Sequence, residues 1–221
     1  MLRNDPAFER DLARVGKWHR AVQAVISIVT LVLLGFFVLS CAPAAAQVPA
    51  AAQAYRADLT RTARAVWGLD APIATFAAQI HQESGWRPEA VSRVGAAGLA
   101  QFMPATSRWI ASIDPSLKAN QPFSPAWAMR ALVTYDLYLY ERTPSAYGAR
   151  DRMWVALRAY NGGLGHWQAE ARNAANPSRE AIDAACGTAK RARLHCPENL
   201  GYPRRILVDL QPRYASWGAS L

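Results

Sequence analysis

Residues 80–106 read IHQESGWRPEAVSRVGAAGLAQFMPAT. The stretch opens as the tail of an apolar helical run and ends at a Met-Pro pair. Between them lie Glu83 and a small-residue loop punctuated by Gly95 and Gly98. Reading backward, Ile73, Phe76, Ala77 and Ile80 share one face at helical spacing, which puts Glu83 in the last turn of that helix. A carboxyl there meets the negative end of the helix dipole, and apolar neighbours add a desolvation cost. Both effects disfavour the charged form and raise the pKa above the ordinary glutamate value. An acid kept protonated near neutrality suits proton donation to a leaving oxygen, as glycosidic cleavage requires. A lone helix-end Glu is commonly a solvated surface residue, so the surroundings must decide.

The rest of the chain points to an all-α domain. Hydrophobic residues make up 52% of the 221 positions, much of that alanine, a strong helix former. From 55 onward the pattern reads as helices with stop signals. Tyr55, Leu59, Ala63 and Val66 form a stripe closed by Gly68. Asp70 is positioned to cap the next helix, with Pro72 in its first turn. Pro104 opens PATSRWIASI, and Ser124-Pro125 opens AWAMRALVTYDLYLYER. Asp151 is the expected cap of RMWVALRAYN, closed by Gly162 and Gly163. Asn176-Pro177 starts a short helix, and a last one spans roughly 200–216. There is no phosphate-binding glycine loop, heptad run or internal repeat.

The amino-terminal part differs in character. Residues 1–20 are polar and mixed in charge; residues 21–42 carry no charged side chain. At about 1.5 Å per residue such a run can cross a hydrocarbon core of roughly 30 Å. Residues 21–46 are therefore expected to be a cleaved signal peptide, with an A-x-A-like site at Ala44–Ala46, or an uncleaved membrane anchor. A lipoprotein signal at Cys41 ranks third, because Leu39 is a less usual residue before the Ser-Cys pair. Each reading exports the remainder, to the periplasm or the outer face of the inner membrane. Residues 47–54 are expected as a low-complexity linker, and 55–221 as the working domain. Cys186 and Cys196, with nine residues between them, would most simply bridge in an oxidising compartment; two free thiols are the alternative. His195 adjoins Cys196, but no second His or Cys sits at zinc-finger spacing. The net charge of +9, mostly arginine, suits an acidic polymer or a solvated surface. No nucleic-acid-binding motif accompanies it.

Three motifs carry a resemblance. QESGWRPEAVSRVGAAGLAQFMPAT at 82–106 resembles the signature of the soluble lytic transglycosylase family: a Glu-Ser pair, an aromatic, a Ser, Gly-Leu-x-Gln and Met-Pro-x-Thr. AYNGG at 159–163 resembles its Ala-Tyr-Asn-x-Gly motif. ENLGYPRRIL at 198–207 matches loosely a third, Glu with Tyr four residues on. The order is the family's, and the match covers roughly 55–215. The resemblance implies a goose-type lysozyme-like helical fold with a substrate groove. By motif position it implies Glu83 as catalytic acid, and Ser92, Gln101, Met103, Tyr160 and Asn161 beside the substrate; Glu198 and Tyr202 follow from the looser motif. Ala100 departs from the Met the family often has there. Gly95 and Gly98 would let the loop backbone pass close to a sugar. The tryptophans read first as structural or surface residues; stacking of Trp86 and Trp109 on sugar rings is the alternative.

The implied substrate is the peptidoglycan glycan strand, cut at the β-1,4 bond between N-acetylmuramic acid and N-acetylglucosamine without water, metal or other cofactor. Glu83 would protonate the glycosidic oxygen, then deprotonate the C6 hydroxyl, which closes a 1,6-anhydro ring. Glu89 follows Pro88 on a loop and is set aside as a second acid. A hydrolytic lysozyme of the same fold, with Glu198 or Asp209 as second carboxylate, is one alternative; a non-catalytic wall-binding module is another. A small exported or membrane-tethered enzyme of this kind fits local wall opening for a conjugation or secretion apparatus.

Overall fold

The computed structural model describes residues 47–221; the expected signal or anchor segment lies outside the described residues. Among the described residues the secondary structure is helical, apart from isolated antiparallel bridges pairing Val91 with Ala97 and Ala97 with Phe102. No helix among them is long and apolar enough to cross a membrane. The elements in order are α1 (Ala50–Gln53), α2 (Arg56–Trp67), α3 (Ile73–Ser84), α4 (Pro104–Ile113), α5 (Pro125–Glu141), α6 (Ala149–Gly162), α7 (Leu164–Arg172), α8 (Arg179–Ala184) and α9 (Cys196–Arg204). The segment read as a linker thus contributes the turn α1, and Ala52 is buried in the core.

Helix α3 is the axis of the domain. Every residue from Ile73 to Ile80 is buried, the mark of a helix enclosed on all sides rather than lying on a surface. It packs against α2 and against the carboxyl-terminal segments 205–217, while α5 contacts both α2 and α6, and α9 packs on α6. Its amino end is not capped by Asp70. The helix starts only after Pro72, which leaves Asp70 two residues outside the capping position. The Ala74 amide instead donates to the Ala219 carbonyl at 3.1 Å. At the other end Gly85, in the left-handed region at φ 59°, returns its amide to the His81 carbonyl, a common way to end a helix.

Other boundaries moved for similar local reasons. α6 begins at Ala149 behind Gly148, so Asp151 sits inside the first turn and pairs with Arg179 at 2.8 Å rather than capping. Ser178, not Asn176, caps α8; the Asn176 side chain accepts the Ser178 amide and turns the chain into the helix. Gly162 and Gly163 close α6 as expected, but Gly163, at φ 87°, also opens α7, which the sequence reading lacked. Ser124 caps α5 as expected, accepting the Trp127 amide. The single helix expected over 200–216 is three pieces: α9, a wide π turn over Arg205–Leu210, and a tight 3-10 run over Gln211–Trp217. Pro212 has no amide hydrogen to return to Val208, so the α-helical ladder cannot continue through it.

A buried ionic cluster joins α6, α7, α8 and the following loop. Arg158, fully buried, donates to Glu170 at 2.7 Å, to Asp183 at 2.6 Å and to the Asn199 side chain at 3.0 Å. Glu170 also receives Arg191 at 2.9 Å. Arg191 lies in the loop closed by a disulfide between Cys186 and Cys196, whose Cα atoms are 5.9 Å apart. Space here is tight: a Cβ on Gly162 would lie 2.3 Å from the Arg191 guanidinium and 2.5 Å from the Asn199 amide. Removing one partner from such a cluster strands a buried charge, at a cost of about 3–5 kcal/mol. Glu170→Ala is therefore expected to lower stability by that amount, read as a fall in the denaturant midpoint, with the change concentrated in hydrogen exchange of α6 and α7.

Candidate active site

Glu83 is half-buried at the carboxyl end of α3. Its Oε1 accepts a hydrogen bond from the Tyr202 hydroxyl, delivered from α9. The Tyr202 ring stacks on Tyr160 of α6, with centroids 6.4 Å apart and planes within 8°. The Tyr160 hydroxyl in turn donates to the Ala100 carbonyl at 2.7 Å. Three distant parts of the sequence are thereby tied around one carboxyl.

Two cavities open on Glu83. One, of about 420 Å³, is lined by Glu83, Arg87, Glu89, Ala90, Val91, Ser92 and Gln101. Ser92 accepts the Ala96 amide at 3.0 Å, tightening the loop. Gln101 is held in the left-handed region at φ 49°, a conformation that costs a non-glycine residue about 1 kcal/mol or more. Its Nε2 donates to the carbonyls of Ala90 and Gly98, at 3.1 and 2.9 Å; Oε1 is left as the group free to meet a ligand. Glu89, set aside in the sequence reading, lines this cavity as an exposed side chain.

The other cavity, of about 500 Å³, is lined by residues that include Glu83, Asn161, Glu198, Tyr202, Arg204, Arg205 and Asp209. Asn161 donates to Glu198 at 3.5 Å and accepts from Asn199 at 3.1 Å. Of the sequence-predicted residues, Glu83, Ser92, Gln101, Asn161, Glu198 and Tyr202 line these two cavities, and Tyr160 stands behind Tyr202. Met103 does not join them: it is exposed at the start of α4. Gly98 is required for packing, since a Cβ there would come within 1.8 Å of the Pro122 carbonyl.

Trp86 is not a sugar platform. It is 1% exposed, donates from its indole to the Tyr214 hydroxyl at 2.7 Å, and takes φ 68°, which turns it into the core. Trp109 is accessible and lines a separate aromatic cavity with Tyr135 and Tyr138. Among the described residues no group of three or more His, Cys, Asp or Glu side chains is placed to hold a metal ion. The sequence reading missed Asn199, Arg158 and Asp136. No local signal reveals them, because each matters through a partner remote in sequence.

Burial pushes the Glu83 carboxyl up to about 7; the Tyr202 hydrogen bond opposes that shift and the Glu198 charge adds to it. Desolvation disfavours the anion, whereas a donor hydroxyl favours it. Tyr202 and Tyr160 are held well above the usual phenol range, burial first and the Glu83 charge next, so both stay neutral donors.

The description Transglycosylase SLT domain fits residues 61–182, more than half of the chain. The chain belongs to the transglycosylase SLT domain family. Two similar relatives are membrane-bound lytic murein transglycosylases F. The one from Maricaulis maris is 37% identical over 91 residues, which is 41% of this chain and 18% of the relative. The one from Histophilus somni (strain 2336) is 34% identical over 91 residues, with the same coverage of both chains. The SLT-domain chain thus matches less than a fifth of those relatives' length. The crystal structure of the 70 kDa soluble lytic transglycosylase of Escherichia coli superposes with a TM-score of 0.56 at 23% identity, covering 75% of this chain and 25% of that one. At that identity the likeness speaks to fold, and the fold is the all-helical, lysozyme-like one expected from the motifs.

The opposing influences on Glu83 are separable in this SLT domain. Tyr202→Phe removes the donor that favours the anion and should raise the Glu83 titration midpoint. Glu198→Gln removes a like charge and should lower it. Carboxyl carbon shifts followed by NMR across pH 4–9 read both, and equal midpoints in all three proteins would contradict the assigned causes.

Proposed function

We propose that this chain is a peptidoglycan lytic transglycosylase that cuts the N-acetylmuramic acid to N-acetylglucosamine β-1,4 bond and leaves a 1,6-anhydromuramic end. The observation that carries the reading is Glu83: one half-buried carboxyl, pushed up to about 7 by burial, open to two cavities and bonded to a neutral phenol. Family membership and the relatives' names support the same substrate.

Glu83 enters protonated and gives its proton to the glycosidic oxygen as the bond to the muramic anomeric carbon breaks. Positive charge at that carbon is met by the substrate's own acetamido oxygen. Gln101 supports this step: its Nε2 is occupied by two carbonyls, so Oε1 accepts the acetamido N–H and turns the acetamido oxygen toward the anomeric carbon. Glu83, now the anion and steadied by Tyr202, takes the C6 hydroxyl proton. That oxygen closes on the anomeric carbon, and Glu83 is again protonated. One group acts as acid and then base, which asks for a pKa near the working pH. Asn161 and Glu198 on one side, and Ser92 and Gln101 on the other, bind the flanking sugars.

The cellular setting belongs to the same proposal. The uncharged run at 21–42 serves as export signal or anchor, and the disulfide fits an oxidising compartment outside the cytoplasm. Local opening of the wall for a trans-envelope conjugation or secretion machine suits a small tethered enzyme. Hydrolysis by the same fold, with Glu198 or Asp209 directing a water, is the competing chemistry, since both carboxylates line the Glu83 cavity.

Glu83→Gln keeps an acceptor for Tyr202 but has no proton to give. It should retain the fold and reduce muropeptide release from purified sacculi by at least about 10²-fold. Mass spectrometry of the wild-type digest should show muramic ends lighter by one water than a hydrolase leaves; fully hydrated ends would transfer the assignment to a lysozyme. Wild-type kcat/KM should fall about tenfold per pH unit above about 7 as Glu83 loses its proton.

A further inference from the structure

Asp136 of α5 and Gln79 of α3 are both completely buried. Gln79 precedes Glu83 by one helical turn and so lies directly beneath it on the same helix. The Gln79 Nε2 donates to Asp136 Oδ1 at 3.3 Å. The other atoms of the two groups, Gln79 Oε1 and Asp136 Oδ2, are both buried and both without a hydrogen-bond partner. Buried polar atoms are nearly always paired, and each exception asks for a reason.

The reason here is a proton. If Asp136 is ionised, the two orphans are both acceptors and cannot satisfy each other. The charge would also lack a counterion: among the described residues no Lys, Arg or His bonds to it. Placing a proton on Oδ2 makes that oxygen a donor and gives Gln79 Oε1 its missing partner. A closed acid–amide ring, with two hydrogen bonds running in opposite directions, would satisfy both orphans at once.

We propose that Asp136 is held as a neutral carboxylic acid, doubly hydrogen-bonded to Gln79, and that this pair is a positioning device fixing the turn of α3 that carries Glu83. The titratable groups facing it are Glu83 on α3, Tyr135 on its own helix, Tyr160 on α6 and Tyr202 on α9. Burial first, then the Glu83 charge, holds the Asp136 carboxyl well above the usual carboxylate range, against the pull of the Gln79 amide. Asp136 therefore stays protonated while Glu83 cycles. The core beneath the site gains stiffness without a second charge that would compete for the Glu83 proton. The positioning part rests on Glu83 being the proton donor; the protonation part does not.

The protonation part is tested by unfolding the wild type and Asp136→Asn from pH 4 to pH 8. Asparagine keeps one donor and one acceptor for Gln79 but has no proton to lose. A folded state that holds a proton which the unfolded chain releases near pH 4 loses stability as pH rises. Asp136→Asn should therefore match the wild type near pH 4. Above that it should gain on it, by up to tenfold in the relative folding constant per pH unit. A constant difference, or a wild type that gains on the variant with pH, would mean an ionised Asp136 and overturn the proposal.

The positioning part is tested by turnover on sacculi. The double variant Gln79→Leu/Asp136→Leu removes both polar groups without stranding either. It should lower kcat at least tenfold with KM within about twofold, while Asp136→Asn restores the lost turnover. A double variant with wild-type kcat, or an Asp136→Asn variant as slow as the double, would refute positioning. A wild type that released no muropeptides would instead refute the transglycosylase reading and leave the pH–stability comparison standing.

Discussion

The hydrogen bond from Tyr202 to Glu83 joins groups 119 residues apart, and much of the domain is arranged so that it can form. Burial alone would keep Glu83 protonated, and a donor alone would keep it ionised. The two act together on one carboxyl, with Glu198 at the rim adding a small further push. The result is a group able to give and recover a proton near neutrality. Bringing Tyr202 to that place requires α9 to pack on α6, and presenting Glu83 at a rim requires α3 to end there, which Gly85 accomplishes.

Around that bond the supports are layered. Tyr160 backs the Tyr202 ring and bonds to the Ala100 carbonyl, so the loop from 85 to 103 is tied directly to helix α6. Behind Tyr160, Arg158 and Asn199 lock α6 to α9 through side-chain and main-chain bonds. On the other flank Trp86 and Gln101 hold unfavourable left-handed backbone angles. Such strain persists only where the surroundings over-determine it: the buried indole bonded to Tyr214 at one end, and two carbonyls gripping the amide at the other.

The sequence reading recovered what local pattern can carry. The helical class, the placing of Glu83 in the last turn of α3, the α5 cap at Ser124 and the family followed from periodicity, turn chemistry and motif order. Six of the eight motif residues line the two cavities at Glu83. What failed did so for identifiable reasons. Asp70 and Asp151 looked like caps, but a proline on one side and an earlier start on the other moved the helix ends past them. Trp86 is structural, the first of the two roles its sequence context offered; its burial, its indole bond to Tyr214 and its backbone angle together exclude sugar stacking. Met103 kept its motif position while pointing to solvent. Asp136 reads as one more residue of YDLYLY; its meaning exists only where α5 meets α3. Pair interactions between distant helices leave no trace in a single sequence.

The loop between Cys186 and Cys196 delivers Arg191 to Glu170 and lies against Gly162, next to Asn161. The second guanidinium of the ionic cluster thus arrives on a covalently closed lasso. Sulfur oxidation is therefore coupled, through Arg191, to the bracing of α6, the helix bearing Tyr160 and Asn161. Reducing that bond would free the segment that carries Arg191, one of the two cations meeting the buried Glu170 carboxylate.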